Sequence, residues 1–197
     1  MGSVPTAWQI HGFNTSDGGR KSLGDTTPYL TYAGWWPQRF CWGWTFTFRL
    51  ALRTKTAAEA LAELIQPGDL LVCHSHGYQV AQQALELNPV RVQMLAYNPA
   101  ARRDSVPHPS VARAVIAYAP DDTALWWGAG WRKATRMAPW RWRNPHPWGR
   151  LGRYGPDYRD PRVKALPLPE GAGHSGPQAK PGLVLEATKS GALRPPA

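Results

Sequence analysis

The stretch Leu70-Leu71-Val72-Cys73-His74-Ser75-His76-Gly77 constrains this chain more than any other. An apolar run stops at a serine set between two histidines and followed by glycine, and Val80, Ala81, Ala84 and Leu85 then recur at helical spacing. A short apolar run bounded by turn residues reads as a strand buried on both faces. Strand, one-residue reversal and helix in immediate succession place the Ser75 hydroxyl on a tight corner at the carboxyl edge of a sheet. A nucleophilic serine needs that placement, although a serine there can also serve simply as a helix cap.

The rest of the chain repeats the strand–helix alternation. Residues 7–10 read as a short strand running into His11-Gly12-Phe13-Asn14. Residues 22–32 are ambiguous, and residues 42–50 alternate apolar side chains with threonine and arginine, which predicts a strand. Thr56-x-x-Glu59 has the form of a capping box ahead of the stripe Ala58, Leu61, Ala62 and Ile65. Pro67-Gly68-Asp69 ends that helix. Further strands are predicted over 90–97, 111–118 and 163–168, with a closing helix over 182–191. The pattern predicts an α/β protein with a mostly parallel sheet of about five or six strands and helices on both faces. A length of 197 residues suits one domain, 1–197.

Residues 126–155 break the alternation. They hold Trp126, Trp127, Trp131, Trp140, Trp142 and Trp148, with arginine and lysine between them. Pro139, Pro145 and Pro147 rule out one continuous helix, so the stretch reads as an insertion between the last two strands.

A serine hydroxyl is a weak nucleophile without an imidazole to take its proton and a carboxylate to orient that imidazole. Ala119-Pro120-Asp121-Asp122 follows the strand at 111–118 and offers two aspartates. Asp122 is favoured as the acid with Asp121 capping the turn; both would equally suit a plain turn. Gly171-Ala172-Gly173-His174-Ser175-Gly176 supplies His174 as base and completes the chain order Ser, Asp, His. The oxyanion of an acyl-transfer intermediate needs N–H donors. The backbone of His76, next after Ser75, is one, and that of Phe13, after His11-Gly12, is the other. His108 and His146 receive no role.

Two rival readings use the same residues. His11, His74, His76, Asp122 and His174 form a set of conceivable metal ligands, but residues 74 and 76 diverge at a sharp turn, and no metal is assigned. A net charge of +10 favours encounter with polyanions. Tryptophan interleaved with arginine also suits a non-catalytic binding protein that contacts nucleic acid or an acidic polysaccharide.

His11-Gly12-Phe13, the corner His74-Ser75-His76-Gly77, Asp122 and His174 together resemble the α/β-hydrolase family in its lipase and esterase branch, over roughly residues 7–192. The resemblance implies a minimal, cutinase-sized α/β-hydrolase fold that cleaves carboxylic ester or thioester bonds of a small or lipid-like substrate without a cofactor. It gives Ser75, Asp122 and His174 the roles of nucleophile, acid and base, and Phe13 and His76 the oxyanion hole. It also makes 126–155 a lid or cap in which Trp126, Trp127 and Trp131 face substrate. Cys73 departs from the glycine that usually opens the family's serine motif, and the family's first two strands are missing. No run reaches the ~20 apolar residues of a membrane span, no signal peptide precedes residue 7, and the two cysteines suit a reducing compartment. The expected location is therefore cytoplasmic, with any polyanion contact confined to the basic surface. The oligomeric state is not legible in the sequence.

Overall fold

The computed structural model describes residues 5–12, 17, 19–42, 50–126 and 149–195, with backbone alone for 50–53. Six parallel strands form one sheet: β1 (Thr6–Ile10), β2 (Trp36–Phe40), β3 (Leu70–His74), β4 (Val92–Tyr97), β5 (Val111–Tyr118) and β6 (Val163–Pro167). Their order is β2-β1-β3-β4-β5-β6, and every neighbouring pair is parallel. The predicted sheet and its strand count are present.

Helices cover both faces because the central strands are apolar on both. Side chains alternate across a strand, so Leu71 and Cys73 of β3 enter one core while Leu70 and Val72 enter the other. The first core is closed by α3 (Leu50–Leu64) and α4 (Gly77–Leu87) through Leu61, Ile65, Val80, Ala81, Ala84 and Leu85. The second is closed by α1 (Arg20–Leu23), α2 (Thr27–Tyr32) and the later helix Leu183–Lys189 through Leu23, Leu30, Leu183 and Val184. Cys73 is a buried thiol in the first core. Among the described residues, no helix is long and apolar enough to cross a membrane.

Two local expectations need correction, and one ambiguous segment resolves. The strand predicted for 42–50 is not found at its described ends: the second strand is Trp36–Phe40, and Leu50 already opens α3. Residues 43–49 lie outside the described residues. Thr56 is interior to α3 rather than its cap, since the helix begins six residues earlier. The ambiguous segment 22–32 resolves into the end of α1, a turn of 3-10 helix over Gly24–Thr26, and α2.

The chain order leaves β1 in mid-sheet with β2 and β3 on opposite sides, so connections diverge at the β1–β3 boundary. In open parallel sheets the crevice outside the strand ends at such a switch is where ligands bind. Ser75 follows β3 and Gly12 follows β1 at that position.

Candidate active site

At Ser75 the backbone has φ 53°, left-handed for a residue with a Cβ. Neighbouring backbone fixes it there: its N–H donates to the Tyr97 carbonyl at 3.0 Å, and its carbonyl accepts from Ala100 N–H at 3.0 Å. Strain of this kind persists only where the surroundings over-determine the conformation. The reversal sends the chain into α4, whose first residue, Gly77, packs against β1. On the other side of the corner, a Cβ placed on Gly12 would stand 2.8 Å from Ser75 Cβ. The end of β1 therefore borders the serine. Phe13, the expected oxyanion donor, lies outside the described residues, as do Trp127 and Trp131.

His76 is the residue between Ser75 and α4. Its ring is buried, with Nε2 3.1 Å from the Thr54 hydroxyl. Beside it, Trp42 stacks on His11 with ring centres 5.3 Å apart. The Trp42 N–H donates to His11 Nε2 at 3.3 Å, so His11 carries its proton on Nδ1 and donates to the Gly12 carbonyl at 2.8 Å. Burial holds the His11 imidazole below its ordinary pKa.

The two aspartates after β5 do different things. Asp122 is fully buried, and its Oδ1 accepts from Leu125 N–H at 3.0 Å, capping a helical turn that starts at residue 123. Its Oδ2 lies 2.7 Å from His174 Nδ1 and also accepts from Asn98 Nδ2 at 3.0 Å. With a carboxylate at Nδ1, the His174 proton sits on that nitrogen and Nε2 is left as the basic atom. Asp121 is exposed, and its Oδ2 accepts from Gly173 N–H at 3.2 Å.

His74 links the serine corner to the histidine loop. Its Nε2–H donates to the His174 carbonyl at 2.9 Å, and the two rings lie 4.9 Å apart, centre to centre. Burial first, then the neighbouring His174, pushes the His74 pKa down to about 3, so its ring is neutral. His74 and Asn98 were not assigned structural roles from sequence. His74 is the one polar residue of an otherwise apolar β3, a signal the sequence carries, and Asn98 directly follows β4.

Among the described residues, no three His, Cys, Asp or Glu side chains converge to hold a metal ion. Both His11 ring nitrogens and His74 Nε2 are committed to hydrogen bonds within the fold. After residues 127–148, which lie outside the described residues, α5 (Leu151–Tyr154) packs onto the sheet's loops: Leu151 N–H donates to the Ala101 carbonyl and Gly152 N–H to the Pro99 carbonyl, each at 3.0 Å. Trp126, the last described residue before that stretch, is 46% exposed.

No family model and no curated protein matches the sequence. Solved structures do match. A protein assigned to the alpha/beta hydrolase superfamily from Xanthomonas campestris pv. campestris is similar at TM-score 0.53 and 14% identity, over 94% of this chain and 99% of that one. The mature lipase BlEst2 of Bacillus licheniformis is similar at TM-score 0.53 and 11% identity, over 98% of this chain and 94% of that one. An extracellular alpha/beta-hydrolase from a Paenibacillus species matches at 19% identity and TM-score 0.37, over 49% of this chain; the chain spans only 41% of that protein's length. The first two likenesses, with the strand order above, define the class: the chain has the α/β-hydrolase fold.

Proposed function

We propose that the protein is a serine hydrolase that cleaves carboxylic ester or thioester bonds by acyl transfer to water. One observation carries the reading: a buried carboxylate, Asp122, meets His174 Nδ1 at 2.7 Å, and the His174 carbonyl accepts from His74, the residue before a serine held at φ 53°. The hydrolase and lipase with similar folds support it.

In this mechanism His174 Nε2 takes the Ser75 hydroxyl proton as Oγ attacks the substrate carbonyl. Asp122 orients the ring and stabilises the imidazolium. The N–H groups of His76 and Phe13 hold the oxyanion, each such donor contributing about 3 kcal/mol to transition-state stabilisation. Collapse expels the alcohol or thiol, which leaves with the proton from His174. Water, deprotonated by the same nitrogen, then attacks the acyl-serine and releases the acid. Residues 126–155 act as a cap whose tryptophans, Trp126, Trp127 and Trp131 among them, favour an apolar acyl or aromatic group, and the basic surface draws anionic substrates or surfaces.

A fluorophosphonate probe tests this directly. The wild-type chain is expected to carry one adduct, mapped by mass spectrometry to Ser75, and Ser75→Ala none. His174→Ala should label at least a hundredfold more slowly, by an order-of-magnitude estimate for losing the base. A wild type that stays unlabelled, or labels equally with alanine at 75, overturns the reading and returns attention to polyanion binding.

A further inference from the structure

The loop that carries His174 makes two short turns of its own, Ala172 N–H donating to the Pro169 carbonyl at 3.2 Å and Ser175 N–H to the Ala172 carbonyl at 3.0 Å. Gly171 and Gly173 have φ of 80° and 51°, and a Cβ on either would meet nothing within 4 Å. Three side chains from the sheet edge grip the loop as well. Asp121 Oδ2 takes the Gly173 N–H, Asn98 Nδ2 donates to the Gly173 carbonyl at 3.0 Å, and His74 Nε2 donates to the next carbonyl, that of His174. The last two come from adjacent strand ends, since His74 pairs with Tyr97 across β3 and β4.

Asn98 contributes most of this grip. It is fully buried at φ 44°, with its N–H donated to the Ala117 carbonyl at 2.9 Å. Its amide nitrogen faces three oxygens: Asp122 Oδ2, the Gly173 carbonyl and, at 3.3 Å, the Gly152 carbonyl. Its Oδ1 is buried with no hydrogen-bond partner among the described residues, and a Cβ on Gly176 would come within 2.3 Å of it. The amide cannot be turned over, because that would aim an acceptor at three acceptors. A buried carbonyl oxygen left unpaired is unfavourable, so the orientation is held by the work of the nitrogen.

We infer that Asn98 is a positioning residue: one amide ties the acid Asp122 to the loop of the base His174 and so fixes the imidazole against its carboxylate. The kinetic part of this inference rests on the hydrolase reading; the geometric part does not. Asn98 acts through Asp122 and the loop. Two substitutions separate the amide from the backbone it sits on. Asn98→Gly keeps the left-handed backbone without strain and removes only the side chain. Asn98→Asp keeps the shape and turns the donor into an anion facing three oxygens.

The test uses the full chain at a temperature where circular dichroism of each variant matches wild type. Two readouts are followed: the downfield N–H proton resonance of His174 Nδ1, assigned by its loss in His174→Ala, and kcat and KM on a short-chain p-nitrophenyl ester. Asn98→Gly is expected to lose the resonance and about tenfold in kcat, and Asn98→Asp about a hundredfold or more, with KM within about twofold of wild type. Asp121→Ala, at an exposed position that does not threaten folding, is expected to lose about threefold in kcat by the same loosening of the loop. If Asn98→Gly keeps both the resonance and the wild-type kcat, residue 98 serves only its backbone angle and the inference is overturned. A wild type that shows the resonance but has no Ser75-dependent turnover sinks the hydrolase reading instead. The resonance in Asn98→Gly then still decides whether the amide holds the pair.

Discussion

Gly77 lies directly against Ile10: a Cβ there would stand 2.3 Å from the Ile10 carbonyl oxygen and 2.8 Å from that of His11. Both obstacles are backbone, so neither can swing aside as a side-chain tip would. The contact seats α4 on the end of β1, and that seating brings Gly12 up to Ser75. Gly77→Ala is therefore expected to destabilise the fold by about 1–3 kcal/mol as an overpacked site. It should also slow Ser75 labelling more than tenfold in protein that is still folded, because the corner and the β1 loop are pushed apart. Thermal melts and probe kinetics on the same sample check both; unchanged labelling would disconnect this contact from the site.

The adjacent aspartates should separate sharply in kinetics. Asp122→Asn removes the carboxylate that sets the His174 tautomer, and such a change typically lowers kcat by about 10⁴-fold. Asp121→Asn alters an exposed acceptor for one loop N–H and should stay within about tenfold of wild type. Steady-state rates on one ester are sufficient. The reverse order would assign the acid role to Asp121.

Much of the fold is legible in the sequence, as are the strand ends that carry the candidate site, for a physical reason. β3 and β5 are buried on both faces, so their apolar runs have sharp ends, and β5 spans the expected 111–118. Ser75 follows the first of these ends and Asp122 the second, whereas His174 comes after β6, a largely exposed edge strand. What failed to read was local and partly exposed. β2 is an edge strand that contains Pro37 and buries only Phe40, so it shows no alternation. Thr56-x-x-Glu59 mimics a cap because a capping motif is defined by four residues, and the helix that contains it begins further back. Spacing alone could not tell Asp121 from Asp122, which are neighbours; in the fold one is buried against His174 and the other is exposed. Asn98 was hidden for another reason. Its contacts reach residues 122, 152 and 173, far away along the chain, and no local pattern marks them.

Asp69 fastens the opposite edge of the sheet. It is 3% exposed, and its two oxygens accept from Thr6 N–H at 2.8 Å, Trp8 Nε1 at 2.9 Å and Gln66 N–H at 2.9 Å. One carboxylate thus ties β1 to the turn between α3 and β3. Asp69→Ala leaves three donors without their acceptor and is expected to lower stability by about 3 kcal/mol. Asp69→Asn, which keeps one acceptor oxygen, should lose less. Urea unfolding with a shared m-value gives the comparison. Equal losses from the two variants would show that packing, and not acceptance of these donors, is what Asp69 provides.

The buried histidines make stability depend on pH in a definite direction. His74 has a pKa of about 3 in the folded chain against an ordinary value of 6.5. Between those values the unfolded chain binds a proton that the folded chain does not. Stability from this group is therefore complete above about pH 6.5 and is lost as pH falls toward 3, by about 1.4 kcal/mol per pH unit within the window. Asp122 nearby opposes the shift, while His174 and His11 reinforce it, and His11 is itself held low by burial. The Tm of the wild type should fall steadily from pH 7 to pH 4. His74→Gln, which offers an amide donor but no titration, should show a shallower fall over the same range, whatever its Tm at pH 7. Calorimetric melts at four or five pH values measure both slopes. Parallel slopes would mean that His74 takes up its proton in the folded chain as readily as in the unfolded one, which its burial beside His174 does not allow.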